Sequence, residues 1–94
     1  MDKMIKKRDR LEVIYDILNI IKNSSNSVKP TPLLRSSNLS SQSFSDYYKE
    51  LLSKEFIREI QDKKNKKFIT LTDKGFKFLE KYTLIHGFIN EFGL

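Results

Sequence analysis

Residues 39–57 read LSSQSFSDYYKELLSKEFI, and this stretch decides the fold. Ser40 stands where a side-chain oxygen can accept from the free N–H groups of a helix's first turn. Phe44, Tyr48, Leu51 and Leu52 then recur at helical spacing and share one face, with Leu39 tucked beneath the preceding turn. The helix runs from about 40 to 54. Helical geometry turns Ser41, Gln42, Ser43, Asp46, Tyr47 and Glu50 outward. At Phe56 the period changes from helical to alternating, and Phe56 to Ile60 reads as a strand.

Working upstream, Thr31 is the expected cap of a short helix, with Pro32 at its first position, Leu33 and Leu34 inside it, and an end near Ser36 and Ser37. Only Ser37, Asn38 and Leu39 separate it from the helix at 40, so the pattern is helix, short turn, helix. Further back, Asp9 and Glu12 form a capping box that opens the first helix. Leu11, Ile14, Leu18 and Ile21 form its expected buried face. Val13, Ile17 and Ile20 widen that face beyond what a small domain needs, so something further is expected to pack there. Asn23, Ser24, Ser25, Asn26 and Ser27 end the helix in a loop.

Downstream, Gln61 to Lys66 is a polar break and Lys67 to Leu71 alternates again, completing a two-stranded hairpin. Thr72 caps a last helix that begins Asp73, Lys74, Gly75, with Phe76 and Leu79 expected against the core. Phe78, Tyr82, Ile85, Ile89 and Phe92 follow at spacings of four, three, four and three, the pattern of a coiled-coil seam. One helix is thus expected to serve the core early and a second copy of the chain later. Two heptads containing Gly87 make a marginal seam alone, so help from Val13 and Ile20 is expected. The alternative is a tail folded back on its own domain.

The organisation is therefore a basic arm at 1–8, carrying Lys3, Lys6, Lys7 and Arg8, a three-helix-plus-hairpin domain at 9–75, and a C-terminal helix at 76–94. The fold class is mainly α with a β-hairpin, α+β in the broad sense. Ninety-four residues suffice for one core, and the 38% apolar and 32% charged composition describes a folded chain with a heavily solvated exterior. Lys and Arg number 18 against 12 Asp and Glu, a formal charge of +6 that calls for a polyanionic partner. The chain has no cysteine and one histidine, His86. With neither a Gly-rich phosphate loop nor metal-spaced ligands, no enzyme, metal, cofactor or small-molecule substrate is expected. No apolar run approaches the roughly 18 residues of a membrane span, and the charged start is unlike a signal peptide, so a cytoplasmic, nucleoid-associated protein is expected.

A helix-turn-helix followed at once by a hairpin is the winged-helix arrangement, whose third helix enters the major groove while the hairpin loop, the wing, lies on the phosphate backbone. The opening Leu39-Ser40, the leucine-rich stripe and the entry Phe56-Ile57 resemble the recognition helix of many prokaryotic winged-helix regulators, with Glu55 where Gly is usual. Asn38-Leu39-Ser40, Tyr47, Lys49 and Leu71-Thr72-Asp73-Lys74-Gly75 further resemble the small archaeal winged helix-turn-helix DNA-binding proteins of about ten kilodaltons that dimerise through a C-terminal helix, over Leu11 to Lys81. The resemblance implies a dimeric, double-stranded-DNA-binding regulator or chromatin-associated factor.

On that reading Ser41, Gln42, Ser43, Asp46 and Tyr47 are the base-contact candidates. Gln42 is suited to bidentate bonding of adenine, and Asp46 either accepts from a cytosine amine or pairs with a neighbouring lysine. The serines could instead cap the helix and touch phosphates, and Tyr47 could pack inward. Lys63, Lys64, Asn65, Lys66 and Lys67 of the wing, Arg35, Ser40 and Lys49 of the helices, and Lys6, Lys7 and Arg8 of the arm are the phosphate-contact candidates. Phe78, Tyr82, Ile85, Ile89 and Phe92 are the dimer candidates. Asp46 and Glu50 keep a protein-docking module open as the alternative. Membrane-surface binding ranks below both, because the lysines cluster in a loop and not along an amphipathic helix.

Overall fold

The structure is a computed structural model and describes residues 8–94. Its elements run α1 (Arg10–Asn23), α2 (Pro30–Ser37), α3 (Ser41–Ser53), β1 (Ile57–Gln61), β2 (Lys67–Leu71) and α4 (Asp73–Glu91). The expected order of three helices, a hairpin and a final helix is the one present.

Helix α1 is the hub. Asp9 caps it, its carboxylate accepting from Glu12 N at 2.8 Å while the Glu12 side chain accepts from Asp9 N. Val13, Ile14, Ile17, Leu18 and Ile21 are all buried, a stripe too wide for one neighbour, and α2, α4 and β2 all pack on α1. The width expected to await a further partner is therefore used inside the chain: Val13 and Ile17 belong to the core, and Ile20 is half-buried against it. Leu11 is the opposite correction. It sits in the first turn, at the edge of the stripe that Val13, Ile14, Ile17 and Ile21 centre, and stays 51% exposed. After α1, Ser25 and Asn26 both take left-handed backbone, turning the chain back so that the Asn26 side chain accepts from Leu71 N at 2.7 Å and Val28 forms a two-bond bridge with Ile69. This strand-like fragment beside the hairpin has no alternating run to announce it.

Helix α2 starts earlier than its expected cap. Lys29 is the N-cap and makes no side-chain cap bond, and proline occupies the first turn from Pro30 on. Pro30 and Pro32, the first and third residues of the helix, carry no N–H, so the first turn has fewer donors to cap. Helix α3 follows after Asn38, a left-handed residue that ends α2, and its cap is Ser40 as expected, accepting from Ser43 N at 3.1 Å. The hairpin is antiparallel, pairing Ile57 with Leu71 and Gln61 with Lys67. Thus β1 begins one residue after Phe56, and Ile60 is exposed.

Helix α4 runs unbroken through the 75/76 boundary drawn from the sequence. Leu79 enters the core, but Phe76, expected there too, is 39% exposed. Among the described residues, no helix is long and apolar enough to cross a membrane.

Candidate nucleic-acid interface

The corner between α2 and α3 is built around a buried serine that the sequence did not single out. Ser37 is 1% exposed. Its hydroxyl donates to Leu34 O at 2.6 Å and accepts from Leu39 N at 3.3 Å, while its carbonyl accepts from Arg8 Nη2 at 2.8 Å. Arg8 also pairs with Asp16 at 2.7 Å. The guanidinium offered as a phosphate contact therefore pins the C-terminal end of α2 to α1, where a cation also meets the negative end of the helix dipole. Lys6 and Lys7 lie outside the described residues.

On α3, Phe44 and Leu51 are buried and Tyr48 is half-buried, stacked on Phe44 with centroids 5.7 Å apart. These contacts aim the opposite face outward. Ser41, Gln42, Ser43, Asp46 and Lys49 are exposed there. Gln42 Nε2 donates to Asp46 Oδ1 at 3.1 Å, so Asp46 pairs with a glutamine and not with a lysine. Tyr47 is half-buried against the core, the inward of its two readings. Glu50 turns toward α1, bonded to Arg10 and to Lys54. With Asp46, Lys49 and Glu50 its only charged residues, α3 is close to neutral.

The wing is the opposite. Asp62 O accepts from Asn65 N at 3.0 Å, and Asn65 takes left-handed backbone, so Lys63 and Lys64 occupy the middle of a tight turn. The Asp62 carboxylate accepts from Lys64 N at 2.8 Å and from Lys66 N at 2.9 Å. The tip's only acid is thus used to shape the loop. Among the described residues, no carboxylate lies within ion-pair distance of Lys63, Lys64 or Lys66, whereas Lys67 faces Glu59 at 3.5 Å. Glu59 in turn accepts from the Tyr48 hydroxyl. Burial pushes that phenol well above its ordinary range, and the adjacent Glu59 carboxylate pushes it further. Tyr48, Glu59 and Lys67 therefore tie α3 to the wing.

A second basic edge escaped the sequence reading. Lys29, Pro30, Thr31 and Pro32 at the start of α2 line a groove of about 320 Å³ together with Lys66 and Lys67. The whole of α2, α3 and β1 separates Lys29 from these lysines in the chain, and only the fold brings them together; a Lys-Pro pair at a helix start was the available signal. Arg35 is exposed on α2.

The join between α3 and α4 accounts for Leu71-Thr72-Asp73-Lys74-Gly75. Leu71 is buried, Thr72 Oγ1 accepts from Gly75 N at 3.2 Å and donates to Glu55 O at 2.5 Å, and Lys74 Nζ donates to Lys54 O at 2.8 Å, closing the end of α3. A Cβ on Gly75 would overlap the Phe56 carbonyl. Glu55 is left-handed, φ 62°, so it takes the conformation of the glycine usual there.

Of the coiled-coil positions, Phe78 and Tyr82 face their own domain. Phe78 meets Phe56 edge-on at 5.7 Å and Tyr82 stacks on Tyr15 at 4.7 Å. Ile85 and Phe92 are exposed, Ile89 is half-exposed, and Leu84 and Phe88 extend the same apolar end.

A model of the winged helix-turn-helix family matches residues 7–89. The uncharacterized protein MJ0290 of Methanocaldococcus jannaschii is 39% identical over 75 residues, 80% of this chain but 32% of that protein, so the chain spans about a third of the length of the curated relative it matches. Among solved structures, a winged-helix DNA-binding protein from STIV superimposes with TM-score 0.71 at 20% identity, over 85% of this chain and 91% of that one. Sso10a-2, a DNA-binding protein from Sulfolobus solfataricus, does so with TM-score 0.67 at 17% identity, over 89% and 87%. At such identities the likeness is one of fold, and together with the match across nearly the whole sequence it means that the chain belongs to the winged helix-turn-helix family.

Proposed function

We propose that this chain binds double-stranded DNA without catalysing a reaction on it, with α3 in the major groove and the wing on the backbone, as a nucleoid-associated regulator or chromatin factor. The observation that carries the reading is the conjunction of an exposed, polar α3 face with a wing tip of four lysines whose one acid is engaged with backbone N–H groups. Lysines near phosphates displace condensed counterions and supply affinity without sequence information, and base edges are read by polar side chains such as Ser41, Gln42 and Ser43. Lys49, Arg35 and the Lys29 edge add backbone contacts. The two structural neighbours described as DNA-binding support the same reading.

The working unit in this proposal is a two-fold dimer that joins through the free half of α4, around Ile85, Ile89 and Phe92. Support comes from the exposure of Leu84 (65%) and Phe92 (61%), apolar surface that water disfavours. Two α3 helices would then meet half-sites about one DNA turn or more apart. The near-neutral α3 favours the rival docking-module reading, in which α3 meets a protein.

The deciding measurement is binding to a random duplex across a salt series, for the wild type and for a variant with Lys63, Lys64, Lys66 and Lys67 changed to Ala. Log K should fall with log salt at a slope of roughly −4 to −5, and the variant should flatten it by up to about 0.9 for each phosphate it no longer neutralises. Absence of binding at low salt would sink the DNA reading in favour of docking.

A further inference from the structure

Gln42 and Asp46 lie one helical turn apart on the exposed face of α3, joined by a hydrogen bond of 3.1 Å from Gln42 Nε2 to Asp46 Oδ1. A glutamine amide alone is ambidextrous: rotated one way it presents a donor, the other way an acceptor. An ionised carboxylate can only accept, so the amide nitrogen must be the end that faces Asp46. The rotation of Gln42 is thereby fixed. What the pair presents to an incoming ligand is the Gln42 carbonyl, the remaining Asp46 oxygen and a single leftover amide N–H, an edge rich in acceptors.

In the major groove guanine shows only acceptors and thymine an acceptor beside a methyl group, whereas adenine and cytosine each show an exocyclic amine. We infer that the Gln42–Asp46 pair selects an amine-bearing base, adenine or cytosine, on the strand beneath α3, with Asp46 acting as the positioning residue that sets Gln42. This inference rests on the DNA-binding reading above and deepens it. Because every base pair carries one such amine, what the pair reads is which strand holds it. The cost follows from the same chemistry. A carboxylate among phosphates lowers affinity for all sequences, and the wing lysines offset it, so selectivity and affinity reside in different elements.

The test is selection of bound sites from a randomised duplex library by the wild type, Asp46→Asn and Gln42→Glu, with affinity for a random duplex measured beside it. Both residues are exposed, and unchanged thermal melts check that each variant is folded. The wild type should favour adenine or cytosine at one position of each half-site by about tenfold over guanine or thymine. Asp46→Asn, which can face Gln42 with either end of its own amide, should reduce that preference to within about twofold, with random-duplex binding kept or raised. Gln42→Glu, with two acceptor ends, should keep the amine preference. The inference is overturned if Asp46→Asn leaves base choice unchanged, if the wild type selects guanine there, or if it binds duplexes with salt dependence but without base preference. A wild type that binds no duplex overturns the DNA-binding reading and this inference with it.

Discussion

Helix α3 and the wing are neighbours in sequence and in space, yet they are held by different physics. The helix takes its direction from the interior: Leu51 is fully buried, Phe44 nearly so, and the outward face is simply what remains. Its charges are few and mostly satisfied within the protein, Asp46 by Gln42 and Glu50 by Arg10 and Lys54. The wing tip has no buried side chain from Gln61 to Lys67, and its shape is set by Asp62 and by the left-handed Asn65. What the difference teaches is that shape-dependent reading belongs on an element clamped by the core, whereas phosphate contact needs only charge on a defined but solvated turn.

The contrast breaks most severely at Leu51. Leu51→Ala removes the anchor of α3 from a closed interior and should lower stability by about 2–5 kcal/mol, measured as a fall in the urea midpoint. A drop of less than about 1 kcal/mol, below the range for such truncations, would mean that α3 is not seated by the core as described. Asp62→Ala sharpens the comparison from the other side, because it makes the tip more basic while deleting both bonds that shape it. Stability should drop by about 1 kcal/mol, and random-duplex affinity should fail to rise despite the added positive charge. A clear rise would show that charge alone governs the wing. The smallest effect is expected at the corner between the two regions. Glu55→Gly relieves a side chain from left-handed backbone but adds freedom to the unfolded chain, leaving a gain of a few tenths of a kcal/mol, visible as a thermal midpoint raised by a degree or two. A fall there would contradict the left-handed corner.

Glu55 is also where local sequence is a poor guide, since a residue that disfavours left-handed backbone occupies it. Thr72 and Lys74 bind the Glu55 and Lys54 carbonyls on either side of that turn, so long-range bonds fix what local preference would not. The same distinction explains the helix hub. The period of α1 marked an apolar face but could not say which neighbours would cover it, and α2, β2 and α4, spread along the rest of the chain, share that task. Leu11 carried the right period and missed the core because the buried stripe is centred on Val13, Ile14, Ile17 and Ile21 and leaves it at the edge.

By itself the sequence determined whatever short-range chemistry controls: the Asp9–Glu12 capping box, the Ser40 and Thr72 caps, the two strands of the hairpin though not an alternating burial of the first, the lysines of its tip and the outward run Ser41, Gln42, Ser43 and Asp46. Each depends on residues within a turn or two of one another. Only the tertiary structure decided that Arg8 closes α2, that Ser37 is buried, that Lys29 joins the wing's basic edge, that Phe78 and Tyr82 pack at home while the last turns of α4 stay bare, and that Asp46 meets Gln42 and not a lysine. The first four bring together groups far apart in the chain. The last is a choice among several partners within reach, which spacing permits and only the folded surface settles.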